Sequence, residues 1–198
     1  MKIIGLCGRS GSGKGYVCDL LSKRGIPSVD TDAVYRELTG AGPEPTALTA
    51  ALAEEFGDSV IADNNSLDRR ALAPIVFSDP AKLASLNALT HRHILDETRR
   101  RLNAFEAEHR RAAVVDAPVL FESGFDSECD LTVCVTASEE KRVDRIMRRD
   151  LVSEEEARRR LASQKSDDDL RALCDIVITN DGDDEALEND IDRLIRSL

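Results

Sequence analysis

The chain has 198 residues, of which 41% are hydrophobic, and this is enough for one domain with a buried core. Its 38 acidic residues outnumber its 27 lysines and arginines, and the net charge of -11 argues against nonspecific binding to nucleic acid or an anionic membrane. No apolar run approaches the ~18 residues of a membrane span, and the stretch Met1–Gly8 is too short for a signal peptide.

Five short apolar runs alternate with longer segments of helical spacing. Runs of this kind, nearly continuous in apolar character, are typical of strands buried on both faces. The alternation predicts an α/β fold, with a five-stranded parallel sheet flanked by helices on both sides. The predicted strands are Lys2–Cys7, Ile26–Asp30, Ala112–Asp116, Leu131–Thr136 and Ile176–Thr179.

Two long helical segments interrupt this alternation. Residues 33–111 are too many for a single crossover helix and are broken by Pro43 and Pro45, so they predict a mostly helical insertion at the mouth of the sheet. Residues 138–173 are rich in arginines interleaved with acids. Two interpretations of this second segment stay open: a solvated helical face with i,i+4 ion pairs, or a lid that closes over phosphates.

The strongest local motif is the run Gly8-Arg9-Ser10-Gly11-Ser12-Gly13-Lys14, which follows the first predicted strand and leads into a helical pattern at Tyr16–Lys23. This strand–loop–helix context is that of a phosphate-binding loop. Glycines let the backbone N–H groups turn around an anion, and the helix N-terminus adds partial positive charge. Lys14 then supplies a full charge to the β- and γ-phosphates of a nucleotide.

One residue departs from the motif. Gly15 stands where a serine or threonine usually ligates a nucleotide-bound Mg²⁺. Its backbone N–H can still contact a phosphate, so we expect nucleotide binding to be kept and metal affinity to be weakened. A water could fill the vacant ligand position, whereas the places of Ser10 and Ser12 in the loop make direct replacement doubtful.

Carboxylates follow two of the predicted strands. Asp30 and Asp32 end the second strand, and in an open parallel sheet they would lie at the same rim as the phosphate loop. Asp30 fits a helix cap or a water-mediated metal contact, and Asp32 fits a general base for an attacking hydroxyl. Asp116 ends the third strand and suits a Mg²⁺ contact, direct or through water. Glu122 could lie at the same rim.

The chain has an odd number of cysteines, five, and no pair of them has the spacing CxxC. We interpret Cys7, Cys134 and Cys174, which lie in or beside apolar runs, as buried thiols of a protein from the reducing cytoplasm. The three histidines are far from any cysteine cluster, and we therefore expect no zinc site. A lone helical histidine such as His91 is usually structural or solvated.

Taken together, the chain resembles the dephospho-coenzyme A kinase family over about residues 2 to 195. The phosphate loop is specific by itself, and the other motifs become specific through their common order and spacing. Those motifs are Gly25–Asp32 with Arg36, Phe56-Gly57, Leu67–Leu72, Val76-Phe77, Leu86–His91, Asp116–Glu122, Arg145–Asp150, Gln164 and Cys174–Asn180.

The resemblance implies a P-loop fold like that of nucleoside-monophosphate kinases, with a helical insertion that binds coenzyme A and a helical lid. It also implies phosphate transfer from ATP to the ribose 3′-hydroxyl of dephospho-CoA, the last step of coenzyme A synthesis. Asp32 falls on the expected base and Asn180 near the expected adenine position. Arg36, His91 and Glu122 fall near the acceptor, while Arg145 and Arg149 fall in the lid.

These observations give one set of expected site residues. The catalytic group comprises Asp32, Lys14, Arg145 and Arg149, and the acceptor group comprises Arg36, His91 and Glu122. Metal contacts are assigned to Asp30 and Asp116, with Mg²⁺ as the ion and ATP as the nucleotide. ATP is expected to contact Gly8, Gly11, Ser12, Gly13, Lys14, Gly15, Tyr16 and Asn180.

Two other functions stay open at this point. The chain could bind a nucleotide or coenzyme A with impaired phosphate transfer because of Gly15, although Lys14, Asp32, Asp116 and the lid arginines speak against this. It could also be a kinase of the same fold for a nucleoside or a sugar acid, although a helical insertion of this size suits a long acceptor better. The substrates are expected to be small molecules, and the oligomeric state is left open.

Overall fold

The computed structural model describes all residues, 1–198, as nine α-helices and five strands. The strands are β1 (Lys2–Cys7), β2 (Ser28–Asp30), β3 (Ala112–Asp116), β4 (Leu131–Thr136) and β5 (Ile176–Thr179). The helices are α1 (Lys14–Lys23), α2 (Thr31–Leu38), α3 (Ala47–Phe56), α4 (Arg69–Phe77), α5 (Pro80–Ala107), α6 (Glu139–Asp150), α7 (Glu154–Ala162), α8 (Asp167–Leu173) and α9 (Asp184–Arg196).

The strands form one sheet in the order β2-β3-β1-β4-β5, which confirms the predicted parallel α/β fold. Parallel ladders join β1 to β3, β1 to β4 and β4 to β5. The chain divides into two compact units, one formed by residues 1–29 and 104–198 and the other by residues 30–103. The phosphate loop lies in the first of these units.

The core of the first unit is formed by β1, by the two strands that pair with it, and by the helices packed against them. Ile4 and Leu6 of β1, Val114 of β3 and Val133 of β4 have no exposed surface. Helices α1 and α9 supply further buried apolar side chains to the same cluster, including Leu21. Each fully buried aliphatic side chain contributes roughly 1.5–3 kcal/mol relative to an exposed one. This burial fixes the end of β1, from which the phosphate loop leaves.

Strand β2 begins two residues later than the sequence pattern predicts. Ile26 is fully buried, but its N–H donates to the carbonyl of Leu21 and closes the end of α1. Pro27 has no N–H to offer a strand partner, and its carbonyl accepts from the N–H of Val114. The apolar run therefore predicted the burial of Ile26 correctly, but its prediction that Ile26 belongs to the strand was wrong.

The second unit contains helices α2, α3 and α4 and most of α5. Its own core is formed by buried residues that include Leu48, Leu52 and Val76. Capping side chains define the helix starts: the Thr46 hydroxyl accepts from the N–H of Thr49 at 3.1 Å, and Asp68 caps α4. Although α5 has 28 residues, none of the helices is long and apolar enough to cross a membrane.

Candidate active site

The phosphate loop joins the carboxyl end of β1 to the first turn of α1. Two of its glycines are required by close approach and by backbone conformation. Gly13 has a φ of 92°, and a Cβ there would lie 2.1 Å from Asn180 Nδ2. Gly8 has a φ of 148°, and a Cβ there would lie 2.3 Å from the carbonyl of Val135. No side chain caps α1, so backbone N–H groups and the helix dipole form the anion-binding feature.

Lys14 and Asp116 bring opposite charges together beside this loop. Lys14 begins α1, and Asp116 ends β3 in register with Leu6 of β1. Lys14 Nζ lies 3.9 Å from Asp116 Oδ1 and donates to the carbonyl of Gly8 at 3.1 Å. Both side chains are largely buried, and charges interact more strongly where water is excluded. The arrangement suits a phosphate at the ammonium and a cation at the carboxylate.

The hydroxyl that usually follows the lysine is missing here. A Cβ built on Gly15 would meet nothing within 4 Å, so there is open space at this position. Ser12 is 1% exposed, and the Ser10 hydroxyl accepts from Arg149 Nη2 at 3.4 Å. We therefore expect water, and not a loop serine, to occupy the position of the missing hydroxyl.

Arg145 and Asn180 hold the phosphate loop from outside. Arg145 Nη1 donates to the carbonyls of Gly11 at 3.1 Å and Ser12 at 3.2 Å, and its Nη2 donates to the carbonyl of Asn180 at 2.9 Å. The buried Asn180 side chain donates through Nδ2 to the carbonyl of Ser12 at 3.0 Å. Both residues thus have a loop-positioning contact that the sequence did not indicate.

A buried ion pair links the arginine-rich segment to the loop. Arg142 is 3% exposed, and its Nη2 lies 2.8 Å from Asp167 Oδ2. Arg9 approaches the same carboxylate at 3.6 Å. The backbone of Arg142 also packs against Gly11, where a Cβ would lie 2.6 Å from the Arg142 carbonyl. Arg142 is therefore not part of a solvated face, and the lid interpretation of this segment stays a prediction.

Other arginines of this segment lie on the surface. Arg160 pairs with Glu156 at 2.6 Å, an i,i+4 contact of the kind predicted for a solvated face. Arg149 pairs with Asp150 at 2.7 Å, and this hydrogen bond raises the pKa of Arg149 and lowers the pKa of Asp150. Such exposed pairs contribute little to stability. Arg149 is therefore accessible to a ligand at modest cost.

Glu122 and Tyr16 are the remaining predicted site residues of this unit. Glu122 is exposed in the turn after β3, and its carboxylate lies 2.9 Å from Lys165 Nζ. Tyr16 is 40% exposed, and its hydroxyl lies 3.4 Å from Asp184 Oδ1. The negative charge of Asp184 raises the pKa of Tyr16. Glu122 is thus held by a lysine that the sequence analysis did not single out.

In the second unit, the cap predicted for Asp30 is present. Asp30 Oδ1 accepts from the backbone N–H groups of Asp32 at 2.8 Å and Ala33 at 3.1 Å. Its other oxygen accepts from Arg36 Nη2 at 3.4 Å. Asp32 is exposed in the first turn of α2, so its carboxylate is accessible to solvent. A metal contact of Asp30 stays a prediction.

His91 lies within the long helix α5. Its side chain is half-buried, as is that of His93, whose Nδ1 lies 2.8 Å from the carbonyl of Leu89. Both histidines belong to the unit of residues 30–103. An acceptor contact of His91 stays a prediction.

The fold and the loop together define a class of protein. A parallel sheet in the order β2-β3-β1-β4-β5, with a lysine-containing phosphate loop after its central strand, is the architecture of P-loop phosphotransferases. The sequence model of the dephospho-CoA kinase family matches residues 2–185. The chain belongs to the dephospho-CoA kinase family.

Individual relatives agree with this assignment. The dephospho-CoA kinase of Corynebacterium glutamicum strain ATCC 13032 is 40% identical over 195 residues, which are 98% of this chain and 96% of the relative. Among solved structures, TT1252 from Thermus thermophilus is 33% identical, with a TM-score of 0.77 and coverage of 100% of this chain and 97% of that one. Dephospho-CoA kinase from Campylobacter jejuni, at 22% identity, shares the fold with a TM-score of 0.69 and the same coverage.

Proposed function

We propose that this chain transfers the γ-phosphoryl group of ATP to the ribose 3′-hydroxyl of dephospho-CoA and so forms coenzyme A. The observation that carries the proposal is the position of the Lys14 ammonium in the phosphate loop. It lies 3.1 Å from the carbonyl of Gly8 and 3.9 Å from Oδ1 of Asp116 at the end of β3. Membership of the dephospho-CoA kinase family supports the choice of acceptor.

The phosphates of ATP bind to the loop and to Lys14. Backbone N–H groups at the start of α1 provide donors, and Lys14 provides a full positive charge for the β- and γ-phosphates. Phosphoryl transfer depends mainly on positioning and on charge stabilisation, so a loop held in one conformation contributes directly to the rate. The contacts of Arg145 and Asn180 with the loop carbonyls provide that rigidity.

Residues of the second unit act on the acceptor in this proposal. Asp32 removes the proton from the attacking 3′-hydroxyl and orients it in line with the γ-phosphate. Arg36 and His91, together with Glu122 of the first unit, bind the acceptor. Residues 33–111 serve as the helical CoA-binding insertion.

Residues 138–173 serve as the lid. Arg149 is exposed and reaches Ser10 of the loop, so it suits neutralisation of the transferring phosphoryl group. Arg145 contributes positive charge from the same helix, although two loop carbonyls already occupy one of its nitrogens. Exclusion of water by a closed lid limits wasteful hydrolysis of ATP. Tyr16 and Asn180 complete the nucleotide contacts.

The residues present fit a divalent cation. Asp116 offers a carboxylate beside Lys14, and the open space at Gly15 accommodates a water where a hydroxyl is missing. Mg²⁺ keeps several waters in such sites, and we propose it as the ion, held by Asp116 and through water by Asp30. When bound, Mg²⁺ neutralises phosphate charge.

A chain that binds its ligands without transferring phosphate is the alternative function. The family and the Corynebacterium relative are both named as kinases, and neither supports this alternative. The two functions differ in one observable, the appearance of phosphorylated acceptor.

An acceptor comparison tests the proposal. ADP release is measured with ATP, Mg²⁺ and, in turn, dephospho-CoA, adenosine or shikimate, and Lys14→Ala serves as the matched inactive control. The proposal predicts fast ADP release with dephospho-CoA alone. Faster release with adenosine or shikimate would identify a different kinase, and release at the background rate with all three would favour a binding protein.

A further inference from the structure

Three cysteines that are distant in sequence converge in the first unit. Cys7 ends β1, Cys134 is its register partner in β4, and Cys174 follows α8 directly. Their three Sγ atoms all lie within 4.8 Å of one another, and those of Cys7 and Cys174 are 3.4 Å apart. Cys7 and Cys134 are buried, and Cys174 is half-buried. The kinase chemistry proposed above uses none of these thiols.

The spacing of the sulfurs matches that of three ligands around one ion. With metal–sulfur bonds of ~2.3 Å, three sulfurs in a plane around a cation lie about 4 Å apart. No histidine, carboxylate or further cysteine joins the cluster. Asp175, the neighbour of Cys174, accepts from the N–H of Thr132 at 2.8 Å and from its hydroxyl at 2.7 Å, and is thereby occupied.

We propose that Cys7, Cys134 and Cys174 form a three-thiolate site for a soft monovalent cation of the copper(I) type. Thiolate ligands select soft ions. Three thiolates are a complete ligand set for Cu(I), whereas Zn²⁺ usually takes four ligands. Binding releases the protons of the three thiols: one Cu⁺ and three thiols give a trithiolate complex and three H⁺. No electron is transferred in this step.

The site adjoins the phosphate loop, because Cys7 immediately precedes Gly8. An ion bound by the three sulfurs would tie the end of β1 to β4 and to the segment after α8. Such a link acts on the first residue of the loop without contacting ATP. The cluster is therefore a separate binding site, and its occupancy is measurable without any activity assay.

The test is a competition for Cu(I) under anaerobic conditions between the reduced full-length protein and the coloured chelator bicinchoninate. Wild type is expected to remove one equivalent of Cu(I) per chain, and Cys174→Ser to bind at least 100-fold more weakly. Cys129→Ser is the matched control, because Cys129 is equally half-buried but donates to the carbonyl of Phe125 outside the cluster. It should bind Cu(I) as wild type does.

Several results would overturn the proposal. They are no removal of Cu(I) by wild type, equal weakening by Cys129→Ser, or tighter binding of Zn²⁺ than of Cu(I). Loss of two titratable thiols with a mass decrease of about 2 Da would show that a disulfide forms instead. If Cys174→Ser does not fold, X-ray absorption of wild type with one Cu(I) decides, since three sulfur neighbours are expected and two would contradict the site.

Discussion

Replacement of Gly15 separates its effect on the helix from its effect on metal binding. Gly15 is the second residue of α1 and has open space around its Cβ position, so both alanine and serine fit. Glycine destabilises a helix by about 1 kcal/mol relative to alanine and by about 0.5 kcal/mol relative to serine. For a chain of this length, these differences raise the melting temperature by about 2–4 °C for Gly15→Ala and about 1–2 °C for Gly15→Ser.

The dependence on metal should show the opposite order. Only serine restores a hydroxyl, and one added ligand contact worth about 1 kcal/mol lowers the half-saturating Mg²⁺ concentration about fivefold. Kinase rates and binding of Mg²⁺ to the nucleotide complex are measured over a Mg²⁺ series, with melting curves for the same three proteins. Equal metal dependence in Gly15→Ser and Gly15→Ala would refute the idea that the missing hydroxyl limits metal affinity.

Lys14, Asp32 and Glu97 offer three further tests. Lys14→Ala should weaken ATP binding about 10-fold or more and slow turnover, since a charged contact to phosphate is lost; titration calorimetry and steady-state rates measure both, and unchanged ATP affinity would contradict the loop assignment. Asp32→Asn should reduce kcat at least ~100-fold with little change in KM for dephospho-CoA, and equal turnover would reject the base. Arg100 and Arg101 lower the pKa of Glu97 to about 2, so this carboxylate stabilises the fold above about pH 4.5 and loses the effect as pH falls toward 2. The melting-temperature difference between wild type and Glu97→Gln should shrink over that range, and a constant difference would contradict it.

Sequence patterns predicted the bounds of a strand best where the run of apolar residues and the run of backbone strand pairing begin and end at the same residues. Strands β1, β3, β4 and β5 have the predicted bounds, although β5 is an edge strand in which Val177 is 39% exposed. For β2, the apolar signal of Ile26 came from side-chain burial, while its backbone N–H served the end of α1. The pattern of apolar residues indicates which side chains are buried. It does not indicate which carbonyl accepts the hydrogen bond of a given backbone N–H.

The sequence motif predicted the phosphate loop, whereas contacts between residues distant in the sequence could not be predicted. The spacing of Gly8 to Lys14 predicts a phosphate loop because all of its glycines and its lysine lie in one short segment. By contrast, the ion pair of Arg142 with Asp167 and the cluster of Cys7 with Cys174 depend on tertiary packing. Nothing in the sequence of this charged helix shows that Arg142 is 3% exposed.

Identification of the product tests most directly whether this chain makes coenzyme A. Purified wild-type protein is incubated with ATP, Mg²⁺ and dephospho-CoA, the product is separated by chromatography, and phosphorus NMR assigns the new phosphate. The expected product is coenzyme A with its phosphate on the ribose 3′-oxygen, together with an equal amount of ADP. ADP without coenzyme A, or a phosphate on another oxygen, would contradict it.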